Sequence, residues 1–208
     1  MKYRILSLSL ALALPLTACD RASTETPTTD TSASPIAESP VTEPSLTDDW
    51  QAYTEKNGRY QIKFPEKPIE NNQQQQTPQG QTVEITTAIY EDEPNKRVYV
   101  SSVNEMPLPE GATFDVEKGL DGGRDGATRS TNSTVVSEEK IDYDGLPGRS
   151  IVMSTPEGAK IKMNMLINAK EEKALFYQVW VAAQDGNIDF PEAQAFLDSL
   201  EIARTEEQ

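Results

Sequence analysis

The apolar segment 174–183 constrains the fold of this chain more than any other part of the sequence. Nearly every position in it is apolar, and it includes Phe176, Tyr177, Val179 and Trp180. A strand with one wet face shows polar residues at every second position, whereas a strand covered on both faces does not. The segment is therefore predicted to be a strand at the centre of a sheet, with another layer on each face.

Two-residue alternation of apolar and polar residues predicts further strands around this central one. The pair Asp144-Gly145, followed by Pro147-Gly148, is a strong turn signal that joins two of them. The predicted strands cover 60–64, 83–89, 98–104, 135–143, 149–154 and 161–167.

The sequence pattern near the C-terminus predicts a helix that begins at Asp189. Glu192 stands three residues later, as in a capping box, and Pro191 falls in the first turn. The following apolar residues have helical spacing and predict one buried stripe. These residues are Ala193, Phe196, Leu197 and Leu200.

A second helix is predicted to start near Thr113 and to run towards Arg124, although it is rich in glycine. Each glycine weakens a helix by about 1 kcal/mol relative to alanine. The glycines at 119, 122, 123 and 126 recur at helical spacing, so they line one face. Two interpretations stay open, namely close approach of the helix to the sheet and a groove for a ligand.

These elements predict an α+β domain. The central strand is expected to have helices or another layer on each side, because it has no polar face.

The N-terminus contains a lipobox, Leu16-Thr17-Ala18-Cys19, after a basic start and a short apolar run. The pattern predicts a lipoprotein signal peptide over 1–18, cleavage after Ala18, and a lipid on Cys19 that binds the membrane. The alternative is an incidental cysteine beside an ordinary secretory cleavage site. Asp20 resembles the signal that retains lipoproteins of enteric-type bacteria in the inner membrane. The predicted location is the cell envelope, on the periplasmic face of that membrane.

The rest of the chain is predicted to contain three segments that differ in composition. Segment 19–47 begins with the lipidated cysteine and continues as a stretch rich in serine, threonine and proline, which predicts a disordered tether. The folded domain is expected over 48–204, and residues 205–208 form an acidic tail.

The charge of the chain argues against nucleic-acid binding. The net charge is −15, and loss of residues 1–18 removes Lys2 and Arg4 and no acid, which brings it to −17. Such a chain repels phosphates, so no nucleic-acid partner is expected.

The residue types exclude several kinds of enzyme. The chain has no histidine and one cysteine, which rules out histidine-dependent nucleophilic catalysis and histidine-ligated zinc. No catalytic residue, cofactor or metal site is predicted, and the chain is expected not to be an enzyme. A hydrolase built on two carboxylates stays as the less favoured alternative.

Four segments together resemble the broad PsbP/Mog/DcrB-like superfamily, and here the chain looks like a bacterial lipoprotein member of it. They are Tyr60-Gln-Ile-Lys-Phe-Pro-Glu-Lys-Pro68, the glycine-rich stretch 114–126, the pair 136–141 and 144–148, and Phe196-Leu-Asp-Ser-Leu200. The resemblance spans roughly 50–202. It implies a central antiparallel sheet with helices on both faces, an α/β/α sandwich, and accessory, protein-binding work rather than catalysis.

Two functions are therefore weighed first. One is a membrane-anchored, non-enzymatic accessory or assembly domain that binds another envelope protein. The other is a domain that binds a small ligand or lipophile, with aromatic residues lining its pocket. The candidate lining residues are Tyr99, Phe176, Tyr177 and Trp180.

Overall fold

The computed structural model describes residues 45–76, 80 and 82–203. These residues form ten strands and two helices. In chain order the elements are β1 (Gln51–Thr54), β2 (Tyr60–Phe64), β3 (Ile69–Gln76), β4 (Thr82–Asp92), β5 (Arg97–Pro107), α1 (Val116–Thr131), β6 (Thr134–Tyr143), β7 (Leu146–Ser154), β8 (Lys160–Ala169), β9 (Lys173–Ala183), α2 (Pro191–Asp198) and β10 (Glu201–Ile202).

Seven strands form the main sheet, in the order β3-β4-β5-β9-β8-β7-β6, and every neighbouring pair is antiparallel. The central place predicted for segment 174–183 is confirmed, because β9 occupies the middle of this sheet, but the predicted layer on each face is complete on one face only. A separate three-stranded sheet has the order β1-β2-β10.

One face of the main sheet, here called the aromatic face, is covered by the small sheet and by α2. Tyr99, Tyr177 and Val179 of the main sheet are buried there against Phe64 and Phe196. The rings meet mostly edge to face, as the pair Phe64–Phe196 shows with 5.0 Å between centroids. This face therefore has the dense packing of a protein core.

The opposite face, here called the α1 face, is covered less completely. Helix α1 packs mainly on β7 and β8. Leu120 and Ala127 of the helix lie against Ile151, Met163 and Met165. The part of this face formed by β3, β4 and β5 lies beyond the helix.

The prediction of an α/β/α sandwich is wrong. Strands hold 52% of the described residues and helices 15%, so the domain is mostly β-sheet. The layer over the aromatic face is largely a second sheet, and α2 has only eight residues. Alternation in segment 60–64 marks a strand, but it does not reveal that this strand leaves the main sheet and packs on top of it.

Both helices differ from their predicted bounds. Helix α1 begins after Asp115, whose carboxylate accepts a hydrogen bond from the Lys118 backbone at 3.1 Å, and it extends well beyond Arg124. Helix α2 begins after Phe190 with no side-chain cap, so the capping box at Asp189 is wrong. The buried Phe190 ring, which lies 3.6 Å from the Arg97 guanidinium, fixes the start of α2 instead.

The buried stripe predicted for the C-terminal helix is confirmed. Its four residues are all at most 4% exposed, and the three within α2 tie it to the aromatic face, whereas Leu200 lies beyond the end of the helix at Asp198. They are Ala193, Phe196, Leu197 and Leu200.

Candidate functional site

The residues predicted from the lipobox lie outside the described part of the chain. Ala18 as the cleavage site, Cys19 as the lipid anchor and Asp20 as the sorting signal stay predictions. Among the described residues, neither helix has the length and apolarity that a bilayer crossing requires. Thr47, the last residue of the predicted tether, is buried and accepts a hydrogen bond from Lys63 Nζ at 3.4 Å.

One candidate site is a groove on the α1 face, here called the α1 groove. It lies between α1 and the strands that the helix leaves uncovered, and its volume is about 520 Å³. The described residues that line it are Gln75, Ile85, Thr87, Ile89, Val100, Ser102, Asn104, Gly123, Gly126, Ala127, Ser130, Thr131, Ile161, Met163, Phe176, Gln178 and Trp180.

The strand register arranges the floor of the α1 groove in rows. Thr87, Ser102 and Gln178 lie opposite one another on β4, β5 and β9 and form a polar row. On one side of this polar row, Ile89, Val100 and Trp180 lie opposite one another and form an apolar row. A polar band therefore runs beside an apolar row that ends in an aromatic ring.

The row on the other side of the polar band is mixed. Ile85 lies opposite Asn104, and Asn104 lies opposite Phe176. An aromatic ring thus ends this row as well, so the polar band runs between Phe176 and Trp180 where it crosses β9.

The polar groups of the floor are only partly bonded within the protein. Ser102 is buried, and its hydroxyl donates to Gln178 Oε1 over 3.4 Å, a long hydrogen bond. The side-chain oxygen of Asn104 is buried and has no hydrogen-bond partner among the described residues. Buried acceptors normally have a partner, so Asn104 marks a place where a donor is expected.

The glycines of α1 divide into two kinds. A methyl group at Gly119 would lie 2.7 Å from the Phe114 ring, and one at Gly123 would overlap Phe176. The close approach predicted from the sequence is therefore confirmed for these two positions. A methyl group at Gly122 or Gly126 would meet nothing within 4 Å, and Gly126 lines the α1 groove.

The four predicted pocket aromatics do not come together. Phe176 and Trp180 line the α1 groove and are half-buried. Tyr99 and Tyr177 point to the aromatic face, where burial raises the pKa of each phenol to about 12. Alternation along β9 separates Phe176 from Tyr177, because neighbouring side chains of a strand point to opposite faces.

A cluster of ion pairs borders α1 on the side away from the groove. The buried Arg149 of β7 pairs with Asp121 at 2.7 Å, with Glu117 at 3.0 Å and with Glu138. Hydrogen bonds from Lys140 and Arg149 lower the pKa of the Glu117 carboxyl. The cluster fixes α1 on β6 and β7.

A second buried charge pair lies in the turn between β1 and β2. Glu55 Oε1 accepts from Arg59 Nη2 at 2.7 Å, and Arg59 also pairs with Glu105 of β5 at 3.0 Å. Burial by itself would raise the pKa of Glu55, but hydrogen bonds from Arg59 outweigh it and lower that pKa. Sequence reasoning missed this pair, and its i, i+4 spacing across a turn is the signal that could have suggested it.

A smaller groove of about 440 Å³ lies between α2 and the outer strands β6, β7 and β8. Unlike the α1 groove, it is lined by charged groups, among them Glu139, Asp142, Lys162 and Asp198. Lys162 of β8 donates to Gln194 Oε1 over 2.7 Å and so joins α2 to the sheet, while Gln194 Nε2 donates to Asp198 within α2 over 2.7 Å. Among the described residues, no three histidine, cysteine or acidic side chains form a group that could hold a metal ion.

Comparison with known proteins gives a similarity of fold. No protein-family model matches the chain, and no curated protein matches it significantly. The solution structure of cyanobacterial PsbP (CyanoP) from Synechocystis sp. PCC 6803 is similar to it with a TM-score of 0.45 and 11% sequence identity, over 74% of this chain and 92% of that chain. A similarity of this size concerns the fold alone, and nothing about activity or partners follows from it.

Proposed function

We propose that this chain is a membrane-anchored, non-enzymatic binding domain of the cell envelope, and that the α1 groove is its binding surface. The lipid on Cys19 would hold the domain at the periplasmic face of the membrane, with Asp20 favouring the inner membrane. The observation that carries the proposal is the incomplete cover of the α1 face, where apolar and neutral polar side chains of β4, β5 and β9 line an open groove.

Side chains under α1 are more deeply buried than side chains beyond it, and this difference supports a binding role for the groove. Met163 and Met165 under the helix are at most 3% exposed, whereas Ile85, Ile89 and Trp180 beyond it are only half-buried. Each of these half-buried side chains would lose water contact if the groove were filled. Burial of apolar area contributes about 25 cal/mol per Å², so an occupant of matching shape would be stabilised there.

The anchor is tested by removing the thiol. Cys19→Ala is expected to release the protein from the membrane fraction or to leave it unprocessed, because the lipid needs the thiol. Fractionation of cells and the mass of the mature N-terminus measure this, and Ser23→Ala is the control in the same segment. A processed Cys19→Ala protein that is still membrane-bound contradicts the anchor.

The groove is tested by photo-crosslinking in intact cells. Ser130 and Arg129 are neighbours on α1 and both are exposed, but only Ser130 lines the α1 groove. A photoreactive amino acid at 130 is expected to give an adduct on irradiation, and the same group at 129 is the matched control. The mass of the adduct distinguishes a small ligand from a protein. Equal adduct yields at the two positions would contradict the groove as the binding surface.

An envelope protein is the second candidate partner, and the free edge of β6 favours it. Among the strands that the structure describes, β6 pairs with β7 alone, and a register shift between Val135 and Ser137 leaves Val136 without a partner in that pairing. Val135 and Val136 are 39% and 60% exposed, which makes an apolar spot at the edge of the sheet. A photoreactive group at 136 that gives a protein-sized adduct, with none at 130, would favour this candidate over the groove.

A further inference from the structure

The lining of the α1 groove is uncharged although the chain is strongly acidic. The chain carries 34 acidic and 19 basic residues. The described residues that line this groove include none of them, whereas four charged side chains line the groove beside α2. A charged group placed in the α1 groove would lose water without gaining a counter-ion, which is unfavourable. The groove therefore selects against charged ligands.

The rows of the floor indicate how an uncharged ligand would lie. Its apolar part fits the row formed by Ile89, Val100 and Trp180, which Met163 continues on β8. Methionine adapts its shape to irregular apolar partners. A polar group of the ligand would then lie over the neighbouring row, where Ser102 and Gln178 share a long hydrogen bond.

The unbonded side-chain oxygen of Asn104 indicates which polar group the ligand carries. This oxygen accepts no hydrogen bond from the described residues, so the missing partner is a donor. Because this oxygen is buried, the Asn104 amide, which lines the groove, must rotate to present it to the ligand. A hydroxyl or an amide N–H on the ligand then supplies the donor and removes the cost of an unsatisfied buried acceptor. A carboxylate supplies none.

Gly126, in the wall of the groove, also supports a bound ligand. Gly126 weakens α1, yet a side chain there would meet nothing within 4 Å, so packing within the domain does not require glycine at this position. A side chain at 126 would instead extend into the groove that Gly126 lines. Gly122 has equally open surroundings but does not line the groove, which makes it a matched control.

We propose that the α1 groove binds an uncharged lipophile that carries a hydroxyl or amide hydrogen-bond donor. The proposal rests on the proposed function, because it names the ligand class of the same groove. The ligand places its apolar body along the row that ends at Trp180 and its donor at Asn104, and the absence of a side chain at Gly126 leaves room for it.

Two photoreactive probes of almost equal size test the ligand class. Para-benzoylbenzyl alcohol is neutral and carries a donor, whereas para-benzoylbenzoate is an anion without one. The full lipidated chain is placed in phosphatidylcholine vesicles at about 1 M salt, where the Debye length of about 3 Å screens repulsion by the acidic surface. Labelling of peptides from α1 and β9 is then measured by mass spectrometry. Partition into lipid lowers the free concentration of the alcohol and works against the expected preference.

The alcohol is expected to label these peptides at least about tenfold more than the benzoate does, because the anion has no counter-ion in the groove. Gly126→Leu should reduce labelling by the alcohol by a similar factor, and Gly122→Leu should leave it unchanged. Thermal unfolding of both variants checks that they fold. Asn104→Leu, which removes the acceptor at similar volume, should lower the preference for the alcohol.

Equal labelling by the two probes, or equal labelling of the two leucine variants, overturns the proposed ligand class. Failure of the ligand class and failure of the proposed function are distinguishable. If neither probe labels the groove but a photoreactive group at 130 still gives an adduct in cells, the ligand class is wrong and the binding groove stands. If the adduct at 130 is missing as well, both are wrong.

Discussion

The two faces of the main sheet use the same strands but different means of covering them. On the aromatic face, a second sheet and α2 bury rings such as Phe64, Tyr99 and Phe196 almost completely. On the α1 face, one glycine-rich helix covers β7 and β8, and Phe176 and Trp180 stay half-buried beside it. The aromatic face therefore carries more of the stability, while the α1 face keeps apolar surface free for a ligand.

The two faces differ in how deeply their side chains are buried and not in residue type, since both contain large aromatic side chains. Phe196 is fully buried and contacts the rings of Phe64 and Tyr99 with centroids 5.0 and 5.3 Å away. Trp180 lies on the opposite face and packs at the edge of the methionine cluster under α1. Truncation of these two side chains thus compares the two faces directly.

The largest expected effect is on the aromatic face. Phe196→Ala is expected to lower the free energy of unfolding by about 3–5 kcal/mol, because it leaves a cavity among packed rings. Trp180→Ala, at the half-buried position, should cost about 1–2 kcal/mol, although tryptophan is the larger residue. Urea unfolding of both variants measures the difference. A Trp180→Ala cost equal to or above that of Phe196→Ala would break the distinction between the faces.

The buried pair Glu55–Arg59 provides a second test of the aromatic face. Arg59 lies in the turn before β2 and also pairs with Glu105 of β5, so it joins the small sheet to the main sheet. Glu55→Gln is expected to cost about 3 kcal/mol at neutral pH, since Arg59 then loses its closest anionic partner. The exposed Glu157, in the turn before β8, gives the control variant Glu157→Gln, which should change stability little.

The pH dependence of this effect has a defined sign. The pKa of Glu55 is lower in the folded than in the unfolded protein, so the unfolded state binds more protons as the solution is acidified. Its stabilisation is complete above the unfolded pKa and is lost as the pH falls through the folded pKa. Unfolding free energies measured from pH 7 downwards should therefore converge for wild type and Glu55→Gln. A constant difference down to about pH 2 would contradict the role of the ionised carboxylate.

The smallest expected effects concern the glycines of α1. Gly122→Ala should raise the free energy of unfolding by about 0.5–1 kcal/mol, because alanine favours the helix and its methyl group meets nothing. Gly123→Ala should lower it by about 1 kcal/mol, since its methyl group overlaps the Phe176 ring and forces that ring to move. Thermal unfolding of the pair measures both signs. A stabilising Gly123→Ala would show that α1 can move away from the sheet at little cost.

Local sequence patterns determined most of the strands and their places along the chain. Alternation at 161–167 and the turn at Asp144-Gly145 both predicted elements that the structure contains. The mainly apolar run ending at Ala183 predicted the central strand, because a strand buried in the middle of a sheet has few water-facing positions. Gln178 and other side chains on the α1 face of this strand nevertheless stay only half-buried. The stripe on α2 was equally readable, since helical spacing puts its residues on one side.

Tertiary structure alone decided what covers each face and where the candidate site lies. Nothing local in 60–64 shows that this strand belongs to a second sheet, because alternation is the same in either sheet. The α1 groove likewise depends on the register that places Asn104 beside Phe176 and on the part of the sheet that α1 does not reach. Local patterns record which side of an element is apolar, whereas packing between elements decides which apolar surface is buried and which stays open to a ligand.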